Sequence, residues 1–390
     1  MIQNRYETVR LVKYEEASIH KAISDFGFKS RSSYYLFSRQ IREQGFIGLF
    51  DLRPVDCKIT IAQGKSLNRL ADCNKYFYAQ RRPSEAIWKL PYSSWNNAFY
   101  GLWNKKHKLF IQIIRALVEG NGIRGISRIF EIDKNTVLEY LMRAAYQCRR
   151  VTNFFIREMH VEELQLDEMW SFVYKKEKNL KENDYISCLN GDQWCWIAKD
   201  VRTKVIVQYE IGKRTYQLAS DLIKNFKRRT DGIYPSLITS DGYKGYKMAL
   251  LKFYGKTTKG KKKIPPPQMD YVVVKKTRKK GRVTDIKIEV IFGTIQRIKN
   301  KIKNSPVSKN VNVAFVERSH LSRRQFSRRL TRKTSGFSKK LQNHLWQFEL
   351  ETAIHNFVRP HSSLKYNTPM MAAGKTDHVW SVEELLSFSV

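Results

Sequence analysis

Acid is what this chain has too little of: 36 Asp and Glu stand against 72 Lys and Arg, a formal net charge of +36 over 390 residues. A compact fold with such an excess repels itself unless a polyanion neutralises it. DNA or RNA is the natural polyanion, because each phosphate contact releases condensed counterions. A solvated basic face or an anionic membrane would also accept the charge, but no amphipathic membrane anchor accompanies it. Long apolar runs are missing as well. Nothing approaches the roughly 18 residues of a membrane-spanning helix, and residues 1–5 open a charged stretch without the apolar block of a secretory signal. Cysteines are few and scattered, at Cys57, Cys73, Cys148, Cys188 and Cys195. With no Cys-x-x-Cys among them, a zinc ribbon or finger is excluded and a reducing, cytoplasmic setting is expected.

What is present is ordinary in bulk and unusual in order. The apolar share of 42% supports a real core, and the length leaves room for two or three folded units. Residues 1–53 read as helices. Ser18 and Ser30 stand at cap positions around Gly27, which is the helix, short turn, helix spacing of a helix-turn-helix. Its second helix would offer Arg31 and Ser32 to a major groove, although a plain three-helix bundle has the same pattern. Residues 54–104, broken by Pro54, Pro83 and Pro91, read as a spacer. Residues 105–150 repeat the helical theme. One helix ends at Gly120 and Gly122, a short one follows, and Asp133 caps a third over 135–146 that leaves Lys134, Asn135 and Arg143 facing outward.

From about residue 160 the apolar period turns strand-like. Strands are expected over 163–173, 193–199 and 205–211, an amphipathic helix over 216–226, and a short strand over 236–240. Three hairpin-linked strands, a helix and another strand is the opening order of a ribonuclease H-like α/β fold, a mixed sheet with flanking helices. The all-α helix-turn-helix units precede it. The core is expected over 160–358, with a basic insertion at 254–304 carrying strands over 271–274 and 285–291, two helices over 311–330 and 339–357, and a tail over 359–390.

Three acids stand out by position. Asp167 lies mid-strand between apolar neighbours, where a bare charge needs a partner or a cation. Asp241 follows the strand 236–240, and Glu317 lies on a helix that can cross the edge where the first two meet. Convergent carboxylates suit hard divalent cations, and two such ions can activate the attacking oxygen and stabilise the leaving one at phosphorus. Each acid alone has a plainer reading. Asp241 opens an Asp-Gly turn, and Glu317 could pair with Arg318 or Arg324. Glu168 should point to the opposite strand face as a bystander. Residues 318–340 hold nine Arg or Lys and no acid. Arg318, Arg323, Arg324, Arg328, Arg329, Arg332 and Lys333 are read as phosphate contacts along one long helix. His320 would reach the scissile phosphate, orient Glu317, or simply lie on the helix surface. Two echoes of a phosphate-binding loop, at 255–257 and 374–376, lack the required earlier glycine, since Leu250 and Pro369 stand there. No ATP is expected.

The stretch Leu166-Asp167-Glu168-Met169-Trp170-Ser171-Phe172-Val173 resembles the first catalytic segment of DDE transposases of the insertion-sequence-one type, and Ser240-Asp241-Gly242-Tyr243 the second. The third is similar to Phe315-Val316-Glu317-Arg318-Ser319-His320-Leu321 with the basic run after it. Arg359-Pro360-His361-Ser362-Ser363-Leu364 and Asn367-Thr368-Pro369 match segments common beyond the third acid. The resemblance covers roughly residues 105–380. It implies Asp167, Asp241 and Glu317 as metal-binding catalytic acids, two Mg²⁺ or Mn²⁺ ions, and cleavage of transposon ends followed by strand transfer. It also implies double-stranded DNA as partner, a homodimer or larger assembly, and a bacterial, nucleoid-associated protein. The cysteine-rich zinc module that opens some relatives is absent, and the Asp241–Glu317 gap is long. A DNA-binding regulator that no longer cuts, or a ribonuclease H-like nuclease, are the alternatives.

Overall fold

The computed structural model describes residues 107–181, 189–258, 262–279 and 282–389. The expected first helix-turn-helix, with Arg31 and Ser32, and the spacer lie outside the described residues. The chain divides into two compact units, 1–107 and 108–390, and all the described residues except His107 belong to the second.

Three helices come first: α1 (His107–Val118), α2 (Ile123–Ile129) and α3 (Lys134–Phe155). The apolar stripe of α1 is buried through Phe110, Ile113, Ile114 and Leu117. Asp133 caps α3 as its position predicts, its carboxylate accepting from the Asn135 backbone N–H at 2.7 Å. The helix does not stop near Tyr146. Ala144, Ala145, Cys148 and Val151 extend the buried stripe, and α3 packs against a late helix of the core. The three helices therefore share one compact unit with the sheet.

The sheet is mixed and six-stranded. Strands β1 (Glu163–Val173), β2 (Gly191–Asp200) and β3 (Ile206–Gly212) form an antiparallel meander. Helix α4 (Tyr216–Arg229) leads to β4 (Leu237–Ser240), which lies parallel to β1. After α5 (Lys244–Tyr254) and a two-strand ribbon, β5 (Lys256–Thr257) and β6 (Lys263–Ile264), come β7 (Asp270–Lys279) and β8 (Arg282–Phe292). The order is β3-β2-β1-β4-β7-β8. This is the mixed α/β arrangement expected of a ribonuclease H-like core.

The sheet corrects one expectation. Residues 254–304 are not an insertion outside the core, because β7 runs parallel beside β4 and β8 closes that edge. Tyr271, Val272, Val273 and Val274 are all buried, a continuous apolar run that suits a strand covered on both faces. Only the far half of the β7–β8 hairpin, with Lys275 and Lys287, leaves the core.

Helices α6 (Ile295–Asn304), α7 (Ala314–Phe326) and α8 (Leu341–Ala353) follow, then α9 (Pro369–Ala372) and α10 (Val382–Ser387). Helix α7 packs across β1 and β2, with Val316 in a core that includes Met169, Cys195, Ile197 and Phe348. It is shorter than the 311–330 expected. The chain leaves the helix at Ser327 and turns Leu330 into the same core, so the basic run is not one long helix. Among the described residues no helix is long and apolar enough to cross a membrane.

Candidate active site

The site is built by a difference in strand length. Pairing between β1 and β4 ends at Leu166 opposite Ser240, yet β1 continues to Val173. Asp167 and Asp241 are the next residues on these two parallel neighbours, so they stand side by side at the notch. Gly242 lets the chain turn away there: its φ is +102°, and a Cβ would come within 2.7 Å of Val273. The Asp-Gly turn and the acidic site are thus the same feature.

Glu168 joins them, against expectation. Oxygens of Asp167, Glu168 and Asp241 lie within 4.8 Å of one another. The alternation rule holds in itself. Asp167 faces α7, where His320 meets it, while Glu168 faces the side of Tyr246 and Arg214. Because β1 projects past β4, however, both faces reach Asp241 around the open edge. A period of two gives orientation but not where the neighbouring strand stops. The signal in the sequence was an Asp-Glu doublet inside an otherwise apolar strand.

The Glu168 side chain is 0% exposed, and one oxygen meets the Arg214 guanidinium at 3.1 Å. Arg214 in turn lies over the rings of Trp194 and Tyr243, at 4.8 and 5.2 Å. Both oxygens of Asp167 are engaged: one accepts from the Glu168 backbone N–H at 2.9 Å, the other faces His320 Nδ1 at 3.3 Å. Burial pushes the Asp167 carboxyl well up, and Asp241 and Glu168 add repulsion. Glu168 is raised to about 7, by burial first and Asp241 second. Asp241, at the exposed mouth, is raised by desolvation and held back by Arg214. Three crowded carboxylates whose anionic forms are disfavoured are a donor set that fits a hard divalent cation.

This crowding has a measurable consequence. An unfolded glutamate titrates near 4.5 and folded Glu168 near 7, so the folded state holds the extra proton between them. Stability from this group is complete below the lower value and is lost as pH rises through the upper one. The melting temperature of the metal-free protein should therefore fall across that window. Glu168→Gln should remove part of the fall, and Mg²⁺ or Mn²⁺ should offset it. Identical melting profiles for wild type and Glu168→Gln would mean the carboxylates do not repel.

Glu317 is placed on the correct side but not in the cluster. It sits in the first turn of α7, near enough for its charge to raise the Asp167 carboxyl, and is ion-paired to Lys276 of β7. Lys276, Arg214 and Tyr246 were not legible in the sequence, because their roles depend on contacts between strands and helices far apart in the chain. His320 turns to Asp167 rather than Glu317. Its pKa drops to about 3, from burial first and then from Arg324, Arg323 and Lys199, so the ring is neutral.

The expected phosphate contacts divide. Arg318, Arg328, Arg332 and Lys333 are exposed and Arg324 is half-buried. Arg323 is not a surface residue: it is 5% exposed, lies over the Phe348 ring at 3.9 Å and donates to Thr352 Oγ1 at 2.7 Å, with Glu351 beside it. Arg329 is half-buried and donates to Ser338 Oγ at 3.3 Å. The reason is the early end of α7, which brings α8 against that face. In α3, Lys134 and Asn135 are exposed, while Arg143 is half-buried and paired with Glu139 one turn away.

No family model matches the chain, and no curated protein matches it. Among solved structures, a chain of the Mos1 strand transfer complex is similar at a TM-score of 0.15, with 10% identity over 63% of this chain and 71% of that one. A pre-cleavage Mos1 transpososome is similar at a TM-score of 0.15, with 8% identity over 63% of this chain and 72% of that one. At these TM-scores the likeness carries no weight for function.

Proposed function

We propose that this chain is a metal-dependent DNA transposase of an insertion sequence, of the insertion-sequence-one type. It would cut element ends and join the freed 3′-hydroxyl to target DNA. The observation that carries the reading is the meeting of Asp167, Glu168 and Asp241 at the notch between β1 and β4 in a chain of net charge +36. Acid gathers at one point of the sheet, and base is available for the phosphates around it.

In this reading Asp167 and Asp241 hold a divalent cation, and Glu317 completes a second coordination sphere when it leaves Lys276. Bound there, two Mg²⁺ or Mn²⁺ ions would supply Lewis-acid stabilisation of the attacking and leaving oxygens. Arg214 fixes the Glu168 carboxylate and limits the charge that the acids place on one another. Arg318, Arg324, Arg328, Arg332 and Lys333 hold backbone phosphates, while Lys134, Asn135 and Arg143, with Arg31 and Ser32, read the element end. Two ends must be held together, so a homodimer or larger assembly is part of the proposal. No step needs ATP.

A second reading is a DNA-binding regulator that no longer cuts, favoured by the Lys276–Glu317 ion pair that keeps the third acid from the cluster. One experiment separates the two. Labelled duplexes spanning the DNA on either side of the coding sequence are incubated with the full chain and either Mg²⁺ or EDTA. A supercoiled target is included. Mg²⁺-dependent nicks at a unique position, and labelled strands joined to the target, are expected. Tight binding to one flank with no cut strand in any metal would establish the regulator instead.

A further inference from the structure

We infer that His320 is a positioning residue that sets the orientation of Asp167 for cation binding, acting through Nδ1 alone. The inference rests on the metal-dependent reading above and assigns a job to a residue that reading does not use. Three observations carry it. His320 is 5% exposed, and its Nδ1 lies 3.3 Å from the Asp167 oxygen not already bonded to the Glu168 backbone. Its Nε2 is buried with no hydrogen-bond partner. Helix α7 does not need this contact to stay in place, because Val316 lies in the core and its backbone N–H donates to the Gln165 side chain at 2.9 Å, while Ser319 is bonded to Lys199.

The geometry dictates a tautomer. A carboxylate accepts hydrogen bonds and cannot donate, so a neutral ring facing it must carry its proton on Nδ1. With one oxygen fixed by the chain's own amide and the other by the imidazole, the carboxylate plane cannot rotate. Each oxygen keeps a further lone pair for a cation, since an ionised carboxylate offers about four acceptor positions. Without His320 the group is free to turn toward or away from Asp241, and ordering it again would be charged against cation affinity. Hydrogen-bonded partners of metal-ligating carboxylates typically matter by about 10–100-fold in affinity or activity.

The two amide side chains test which nitrogen acts. The amide of Asn reaches the place of Nδ1, and that of Gln the place of Nε2. Mn²⁺ affinity of the full chain, read by electron paramagnetic resonance of the free ion, should fall by about 10–100-fold in His320→Gln. His320→Asn should stay close to wild type. Cleavage at limiting Mn²⁺ should follow the same order. Equal affinities for the two variants, or the reverse order, would overturn the inference, the reverse order pointing to an Nε2 contact with substrate. In parallel, nitrogen-15 imidazole spectra of the metal-free wild type should show His320 protonated on Nδ1, its signals being identified by their loss in whichever variant folds. Protonation on Nε2 would overturn the proposal without reference to any variant's stability. Asp167→Asn is the control. If it binds Mn²⁺ as the wild type does, the metal assignment itself fails and takes this inference with it. If only the His320 variants behave alike, the metal assignment stands and the inference alone falls.

Discussion

Asp167→Asn should leave a protein that binds DNA, melts at a higher temperature than wild type without metal, and does not cut. The loss follows from position. Asp167 is the acid common to the cluster with Glu168 and Asp241 and to the charge interaction with Glu317, so an amide there weakens both cation positions. If that removes about 4 kcal/mol of transition-state stabilisation, cleavage falls roughly a thousandfold. The gain in stability follows from burial. Asp167 is 8% exposed and is destabilised as an anion by Asp241 and Glu168, and the isosteric amide removes that repulsion. The amide can still accept from the Glu168 N–H. DNA binding should persist because the exposed basic side chains lie elsewhere. Lys134→Ala with Arg143→Ala should do the reverse, weakening end binding and leaving Mn²⁺ affinity intact. Cleavage rates, melting curves and gel shifts on one preparation check all of this. Loss of DNA binding as complete as the loss of cleavage would show that the two functions are not separable.

Some parts of the molecule are local enough to read from sequence. Asp133 as a helix cap and β1 as a strand depend on neighbours within a few residues, and both are found where expected. The pairing of Asp167 with Asp241 was also legible, because an acid at the end of a strand and an acid inside a parallel neighbour meet whenever those strands adjoin. Glu168 was not. Its face was correct, but its company depends on β4 ending at Ser240 while β1 runs on. The strand β7 was hidden by composition, because four buried residues at 271–274 are followed by the basic end of a hairpin and read as part of a charged loop. Arg323 was misjudged for a related reason. A run of basic residues looks like one solvated stripe until a second helix covers part of it, and α8 does so from beyond the turn at Ser327.

The covered and uncovered arginines should therefore give opposite phenotypes. Arg318, Arg328 and Arg332 are exposed, and each phosphate neutralised on duplex DNA contributes about −0.9 to the slope of log affinity against log salt. Replacing all three with Gln should flatten that slope by about 2.7 if each makes one contact. Melting temperature should barely change, since isolated surface charges contribute little to stability. Affinity should fall alike on element-end and random duplexes, because phosphates carry no base identity. Arg323→Gln should do the opposite. It removes a buried cation from Phe348, Thr352 and Glu351, and breaking one partner of a buried pair costs about 3–5 kcal/mol. The salt slope of the fraction that stays folded should match wild type, and Arg323→Met with Glu351→Leu should recover stability by removing both charges. Salt titrations on both duplexes, together with denaturant melts, measure each arm. A flattened slope in Arg323→Gln at unchanged stability would mean that Arg323 reaches the phosphates and that α8 moves off α7 when DNA is bound.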